Sequence, residues 1–483
     1  MTLIYDIVRK LTKQEIRQIK HIIRHSPFEY EKMGKLFDLV TRYEEREEEF
    51  YSEKLYGKDP DNTFRVTKSR LKRMLENVVL HDKSLTGYKS PSINAHLQAQ
   101  KKLLQGEILL GRGAYVASKN LLLQVIATAD KYALHNENFQ AELLLYRTHS
   151  IRSSVKEFEK KTESLLEANR LLSSINEAMI LYYSISNLLI NQAIKPKQRE
   201  DLRKTIDKIR DISVSTGHPL ILKRYYLSEI YYMQIAHQDE EALNFCQKYL
   251  RLIQEDRAQY SEQELASAYG QLAQVNLRLK NLSEAKTYAH KTLEIFSEDE
   301  MNYLTGLELT FRVAFDAQDL KEAKKYILKA LAHPQFEASK MLAAKWHYFH
   351  ACILFKEQNF KEAYLKLNDT TPLLSDKFGM NLHLRLLEIM IMYEMGNSDL
   401  METKILNMRQ FIKRTQKNQA VIRPVFLIKI LMKWYKNNYA FSETLSEIQQ
   451  EIEDEQSQKQ PITYINDNSE MIRLEDWMAQ KAE

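Results

Sequence analysis

The chain is 483 residues long, 44% hydrophobic and 28% charged, with 11 Gly, 9 Pro and a formal net charge of +5. Average usage would supply roughly 34 Gly and 24 Pro, and hairpins, bulges and nucleotide-binding turns draw on glycine's freedom at positive φ, so the composition argues against a sheet-based enzyme fold. Residues 1–90 hold 19 basic against 15 acidic side chains, leaving 51 against 50 in the rest, a near-neutral body with no general attraction for polyanions.

Long helices joined by short polar loops are the remaining economical solution, and the first 90 residues read as a small helical unit. Thr12 followed by Glu15 forms a capping box ahead of Ile16, Ile19, Ile22 and Ile23 at helical spacing. Ser26-Pro27 starts a second helix, whose buried stripe is Leu36, Phe37, Leu39, Val40 and Tyr43. The acidic run Glu44 to Glu49 is expected on the solvated face of a third helix ending near Gly57. A fourth runs from about Asp61 to His81 with Phe64, Leu71, Leu75 and Val78 on one side, and Ser84 to Pro91 reads as a linker.

From about residue 95 the chain repeats. Four segments share a short polar turn followed by Glu-Ala opening a second helix: Asp239 to Ala242, Asn281 to Ala285, Asp319 to Ala323 and Asn359 to Ala363, with alanines 43, 38 and 40 residues apart. Asn or Asp caps the second helix of each pair, and the small Ala lets it pack closely on its partner. Further pairs fit 138–174, 175–215, 219–257, 380–415 and 420–455, and Gly113 to Ala117 sits at a helix-to-helix turn. A polar stretch follows, then a short helix near Ser469 to Gln480 carrying Trp477.

The stretch from Ala268 to Leu293, with Ala273, Ala285, Ala289 and Leu293, resembles a tetratricopeptide repeat, as does Lys321 to Leu331 with Pro334 beyond. The spacing departs from the family's usual 34 residues, and the longer pairs resemble the extended repeats of bacterial peptide-sensing regulators. The resemblance implies an all-α fold: a right-handed superhelix of about eight or nine stacked hairpins over 95–455, preceded by the small domain 1–90 and followed by a linker and helix over 456–483. It also implies protein–protein interaction along a concave groove lined by the first helix of each pair.

Little in the chain points to chemistry. Gly111-Arg-Gly113 lacks the third Gly, the Lys-Ser/Thr and the preceding strand of a phosphate loop, and reads as a turn. His347 and His350 share a helix face but no Glu or Cys completes a metal pattern. Cys246 and Cys352 sit in apolar helices and read as buried thiols of a reducing compartment. No cofactor, metal or catalytic group is therefore expected, nor a membrane span, and a cytoplasmic location is. The tyrosine doublets 182–183, 225–226 and 231–232 are expected to fill gaps between helices, with some rings reaching the concave face. The stretch Phe64 to Leu75 carries Arg65, Lys68, Arg70, Lys72 and Arg73 with no acid, which suits either a solvated or protein-docking face or contact with nucleic acid.

Two functions follow: a non-enzymatic scaffold or adaptor holding a peptide or partner protein in the groove, or a peptide-sensing regulator whose N-terminal unit contacts DNA or a response partner. Setting Ala242, Ala285, Ala323 and Ala363 at one repeat position phases the preceding helices. It puts Tyr231, Gln234, Gln274, Arg278, Arg312, Lys345, Tyr348 and Lys356 on the inner face as partner-binding residues, with Ile230, Leu272 and Ala351 in the core. Arg and Tyr among them concentrate binding energy, and the cations favour an acidic or carboxylate-terminated peptide.

Overall fold

The structure is a computed structural model and describes residues 1–11, 13–24, 30–78, 90–149, 155–191, 196–255, 261–298, 300–336, 340–368, 380–415, 422–457 and 470–482. Every regular element among them is a helix. The chain divides into two compact units, Met1–Arg170 and Leu171–Glu483.

The first unit opens with α1 (Thr2–Lys10), α2 (Lys13–Arg24), α3 (Tyr30–Arg42), α4 (Glu48–Tyr56) and α5 (Asn62–Val78). Ile4, Val8, Ile19, Ile23, Leu36, Phe37, Val40, Phe64, Leu71 and Leu75 share one core. Asp61 caps α5 by accepting from Phe64 N at 3.0 Å. The hydrogen bond from Lys58, together with that cap, holds the Asp61 carboxyl down to about 2. The acidic run departs from expectation: Glu44–Glu47 precede α4, and only Glu48 and Glu49 lie in its first turn, where the partial positive charge of a helix N-terminus favours them. Gly57 ends α4 in the left-handed region, as the sequence suggests. Thr12, Ser26, Pro27, His81 and most of the Ser84–Pro91 linker lie outside the described residues.

Next come α6 (Pro91–Gly111), α7 (Tyr115–Tyr132) and α8 (His135–His149). Gly111, Arg112 and Gly113 form the α6–α7 turn, Gly113 at φ 78°. The two helices touch where Ser118 Oγ donates to Gly106 O at 2.7 Å. After them α9 (Val155–Asn191) runs unbroken for 37 residues. The expected pairs 138–174 and 175–215 are corrected by it: Ser174 and Glu177 have the spacing of a capping box, yet the chain stays helical through them, with Ile175, Ala178 and Ile185 buried along one helix in a shared core.

The second unit continues with α10 (Pro196–Thr216), α11 (Pro219–Ile235), α12 (Asp239–Glu255), α13 (Glu262–Arg278), α14 (Leu282–Ile295), α15 (Met301–Asp316), α16 (Leu320–Leu331), α17 (Lys340–Lys356), α18 (Phe360–Asn368), α19 (Met380–Glu394), α20 (Ser398–Thr415), α21 (Ile422–Lys436), α22 (Phe441–Ser457) and α23 (Leu474–Ala482). Consecutive helices pack on one another, which makes the array an α-solenoid of stacked hairpins.

One turn recurs along it. His237, Lys280, Gln318, Gln358 and Gly396 all have positive φ, between 53° and 70°. The next residue's N–H then reaches back to the helix: Gln238 to Met233 O, Asn281 to Asn276 O, Asp319 to Ala314 O, Asn359 to Leu354 O and Asn397 to Met392 O, at 2.8–3.0 Å. Asp319, Asn359 and Asn397 also accept from Glu322 N, Glu362 N and Leu400 N, capping the second helix as expected. Asn281 does otherwise, donating its amide to Asn276 Oδ1 at 3.3 Å. Four of these five left-handed positions are not glycine, so the scarcity of Gly coexists with hairpins that would each use one. Ala242, Ala285, Ala323 and Ala363 are all 0% exposed. Without a larger side chain between them, paired helices approach closely.

Candidate functional site

The first helices of four successive hairpins, α11, α13, α15 and α17, line a groove of about 600 Å³. Residues three or four apart on a helix share a face, and the lining follows that rule: Gln263, Ser267, Gly270 or Gln271 and Gln274 on α13, then Asn302, Thr305, Glu308 or Leu309 and Arg312 on α15. Tyr231 and Gln234 come from α11 and Lys345 from α17. Thr292 and Phe296, from α14 and its C-cap, also line it.

Five of the eight residues predicted from the repeat phase therefore meet in one place: Tyr231, Gln234, Gln274, Arg312 and Lys345. The other three do not line it. Tyr348 is 2% exposed and packs in the core with Phe349 and Cys352, so it offers no contact surface. It lies one turn from Lys345, but its hydroxyl hydrogen-bonds with the Met471 main chain, and Met471 and Ile472 pack on the same core. Arg278 is a brace between hairpins: its Nε donates to Asp239 Oδ1 at 2.6 Å and its Nη2 to Gln234 O at 3.0 Å. Lys356, the last residue of α17, is half-buried and falls outside the lining.

Carboxamides dominate the groove chemistry. Gln234, 3% exposed, donates its amide to Gln271 Oε1 at 3.3 Å, which fixes the orientation of both. Gln263 and Asn302 are exposed within it and Gln274 is half-buried. Each carboxamide offers both a donor and an acceptor, the pair of functions a peptide bond presents. Lys345 donates to Glu308 Oε2 at 2.5 Å and lies over the Phe349 ring, so its charge is held in place. Arg312 and Lys345 outnumber Glu308 by one. At the α11 end, burial, then the neighbouring Tyr182 hydroxyl, pushes the Tyr231 phenol well above its ordinary value, which keeps it a neutral hydrogen-bonding group. Sequence reasoning missed Gln263, Ser267, Gln271, Asn302, Thr305 and Glu308. The signal was present: they stand three, four, seven, ten or eleven residues from Gln274 and Arg312.

Elsewhere the candidates resolve individually. In α5, Lys68 pairs with Glu48, and Lys72 with Glu76 at 3.6 Å. Arg65, Arg70 and Arg73 are exposed. Tyr182, Tyr225, Tyr226, Tyr231 and Tyr232 are half-buried between helices while Tyr183 is exposed. His347 lies edge-on to Phe336, and burial lowers the His350 imidazole. Among the described residues no group of three or more His, Cys, Asp or Glu is placed to hold a metal ion. Cys246 and Cys352 are free and buried, and burial pushes the Cys246 thiol up to about 12.

No family model matches the chain, and no curated protein does. Among solved structures it is similar to BtubC (BKLC) from P. vanneervenii, at 12% identity and TM-score 0.39, over 47% of this chain and 94% of that one. It is also similar to a signal transduction ATPase with numerous domains, bearing a tetratricopeptide repeat sensor, from Pyrococcus horikoshii. There the identity is 13% and the TM-score 0.41, over 84% of this chain and 65% of that one. Likenesses of this depth say nothing of what the chain binds.

Proposed function

We propose that the chain is a non-enzymatic binding protein, built on extended tetratricopeptide-like hairpins of about 40 residues, that holds an extended peptide segment along α11, α13, α15 and α17. One observation carries this: an unbroken groove in which carboxamides alternate with a few held charges. An extended segment exposes its main-chain N–H and C=O groups, which lose water on binding and must find partners. Gln271, Gln274 and Asn302 supply both kinds without demanding a particular side chain. Arg312 and Lys345 then favour an acidic residue or a terminal carboxylate, since charge-assisted hydrogen bonds are the strong ones. The proposed location is cytoplasmic. Consistent with that, no helix among the described residues is long and apolar enough to cross a membrane.

The test is a displayed random-peptide library panned against the purified chain. Selected peptides are expected to be enriched in Asp, Glu or free C-termini. Arg312→Ala and Lys345→Ala should each weaken them about tenfold, the truncation cost of a central charged contact, while the chain stays folded. Selected peptides that bind both variants as tightly as the wild type would show that the groove is a solvated face and not the binding site.

The regulator reading rests on α5. Lys68 and Lys72 pair with Glu48 and Glu76, and a patch of so few basic side chains would bind phosphates weakly and lose that binding with salt.

A further inference from the structure

The C-terminal helix α23 returns across more than eighty residues of sequence to the inner helices of the last hairpins. Trp477 Nε1 donates to Glu394 Oε1 at 2.8 Å, and Lys481 Nζ to Glu394 Oε2 at 2.8 Å. The Trp477 ring enters an aromatic box of Tyr393, Trp434 and Phe441, with centroids 5.5–5.6 Å away. Those three also contact one another at 5.1–5.3 Å. Leu474 and Met478 are buried on the same side of the helix, four residues apart. Just ahead of α23, Met471 meets Tyr348, one turn beyond the groove residue Lys345.

The geometry points to α23 and the residues leading into it being a latch: a detachable helix resident in a helix-docking site formed by α19, α21 and α22. Two physical arguments separate a latch from a permanent cap. A nine-residue helix is far below the length at which helices persist alone in water, so α23 exists only while docked. And its docked state rests chiefly on Leu474, Trp477 and Met478 plus one shared carboxylate, against the ordering of the whole segment. Ordering cost opposes docking, and because α23 is held through these few side chains it opens locally without unfolding the array. Opening would uncover the Tyr393–Trp434–Phe441 box and extend the exposed inner face from Lys345 onto Tyr348. The occupant this site accepts is an amphipathic helix carrying Leu, Trp and Met at positions 1, 4 and 5 and a Lys four residues after the Trp.

Hydrogen exchange on the full chain, read by mass spectrometry, tests this together with a synthetic peptide of residues 470–482. The inference does not depend on the peptide groove, and neither measurement uses a groove ligand. Amides of α23 are expected to exchange at least a hundredfold faster than those of α17 and α21. In the full-length Trp477→Ala variant α23 should exchange faster still while α17 and α21 stay protected. That variant should also bind the added peptide at least tenfold more tightly than the wild type, whose site is filled. Exchange of α23 as slow as that of α21, or a Trp477→Ala chain that keeps α17–α21 protected yet binds no added peptide, would overturn the latch. A chain that loses protection throughout the array would overturn it equally, since α23 would then be part of the core.

Discussion

Replacing Arg278 by alanine separates a structural brace from a ligand contact. Its guanidinium spans two hairpins, giving Nε to Asp239 Oδ1 at 2.6 Å and Nη2 to a carbonyl in the last turn of α11, Gln234 O, at 3.0 Å. Both side chains of the ion pair are only 17–20% exposed, so solvent screens the interaction less than on an open surface. A hydrogen bond to a charged group nets about 1.5–3 kcal/mol. Asp239, left alone, still sits in the first turn of α12, where the helix dipole offsets part of the loss. The expected cost is therefore about 2 kcal/mol, which for a unit as large as Leu171–Glu483 lowers the melting temperature by roughly 3 °C. Circular dichroism at 222 nm during heating reads it, and affinity for any groove-selected peptide should change little. A melting temperature moved by less than about 1 °C together with a large loss of affinity would refute the reasoning and return Arg278 to the binding surface.

Four further outcomes are expected. His237 is held down to about 4, by partial desolvation first and the Arg278 charge second; its neutral form is the one the fold prefers, so stability is complete above the ordinary value near 6.5 and declines as pH falls from there toward 4, where only the unfolded chain gains the proton. NMR titration should show this imidazole moving upward in Arg278→Ala, and an unmoved value would contradict the assigned cause. Gly306→Ala should destabilise by about 1–3 kcal/mol, because the new Cβ would meet Leu293 Cδ1 at 3.0 Å and Leu293 Cα at 3.2 Å; denaturant unfolding decides, and a stabilised variant would mean that α14 and α15 separate easily. Gln318→Gly should stabilise by up to about 1 kcal/mol, since a left-handed non-glycine costs roughly 1–2 kcal/mol and glycine returns part of that through unfolded-chain entropy; a lowered midpoint would count against the turn geometry. Cys246 and Cys352 should resist a thiol reagent in the native protein and react on unfolding, as buried, poorly ionised thiols do; rapid native labelling would place them at the surface.

Much of this protein was legible in the chain itself. Scarce glycine and the recurring Asn or Asp and Ala of the hairpin turns are local signals, each acting within a few residues: the cap on its own helix start, the alanine on the helix beside it. Phasing on Ala242, Ala285, Ala323 and Ala363 therefore sufficed to bring Tyr231, Gln234, Gln274, Arg312 and Lys345 to one face, because helical periodicity carries that phase a short way without error. What the tertiary structure alone decided involves partners distant in sequence. Arg278 is a brace because Asp239 lies beside it, 39 residues away. The buried Tyr348 hydroxyl meets the Met471 main chain, more than a hundred residues on. The continuity of α9 was decided in the same way: Ser174 and Glu177 have the spacing of a capping box, but Ile175, Ala178 and Ile185 pack into one core across it. Periodicity determines which side of a helix faces inward; whether that side meets solvent, a neighbouring hairpin or the returning end of the chain depends on contacts that no local pattern encodes.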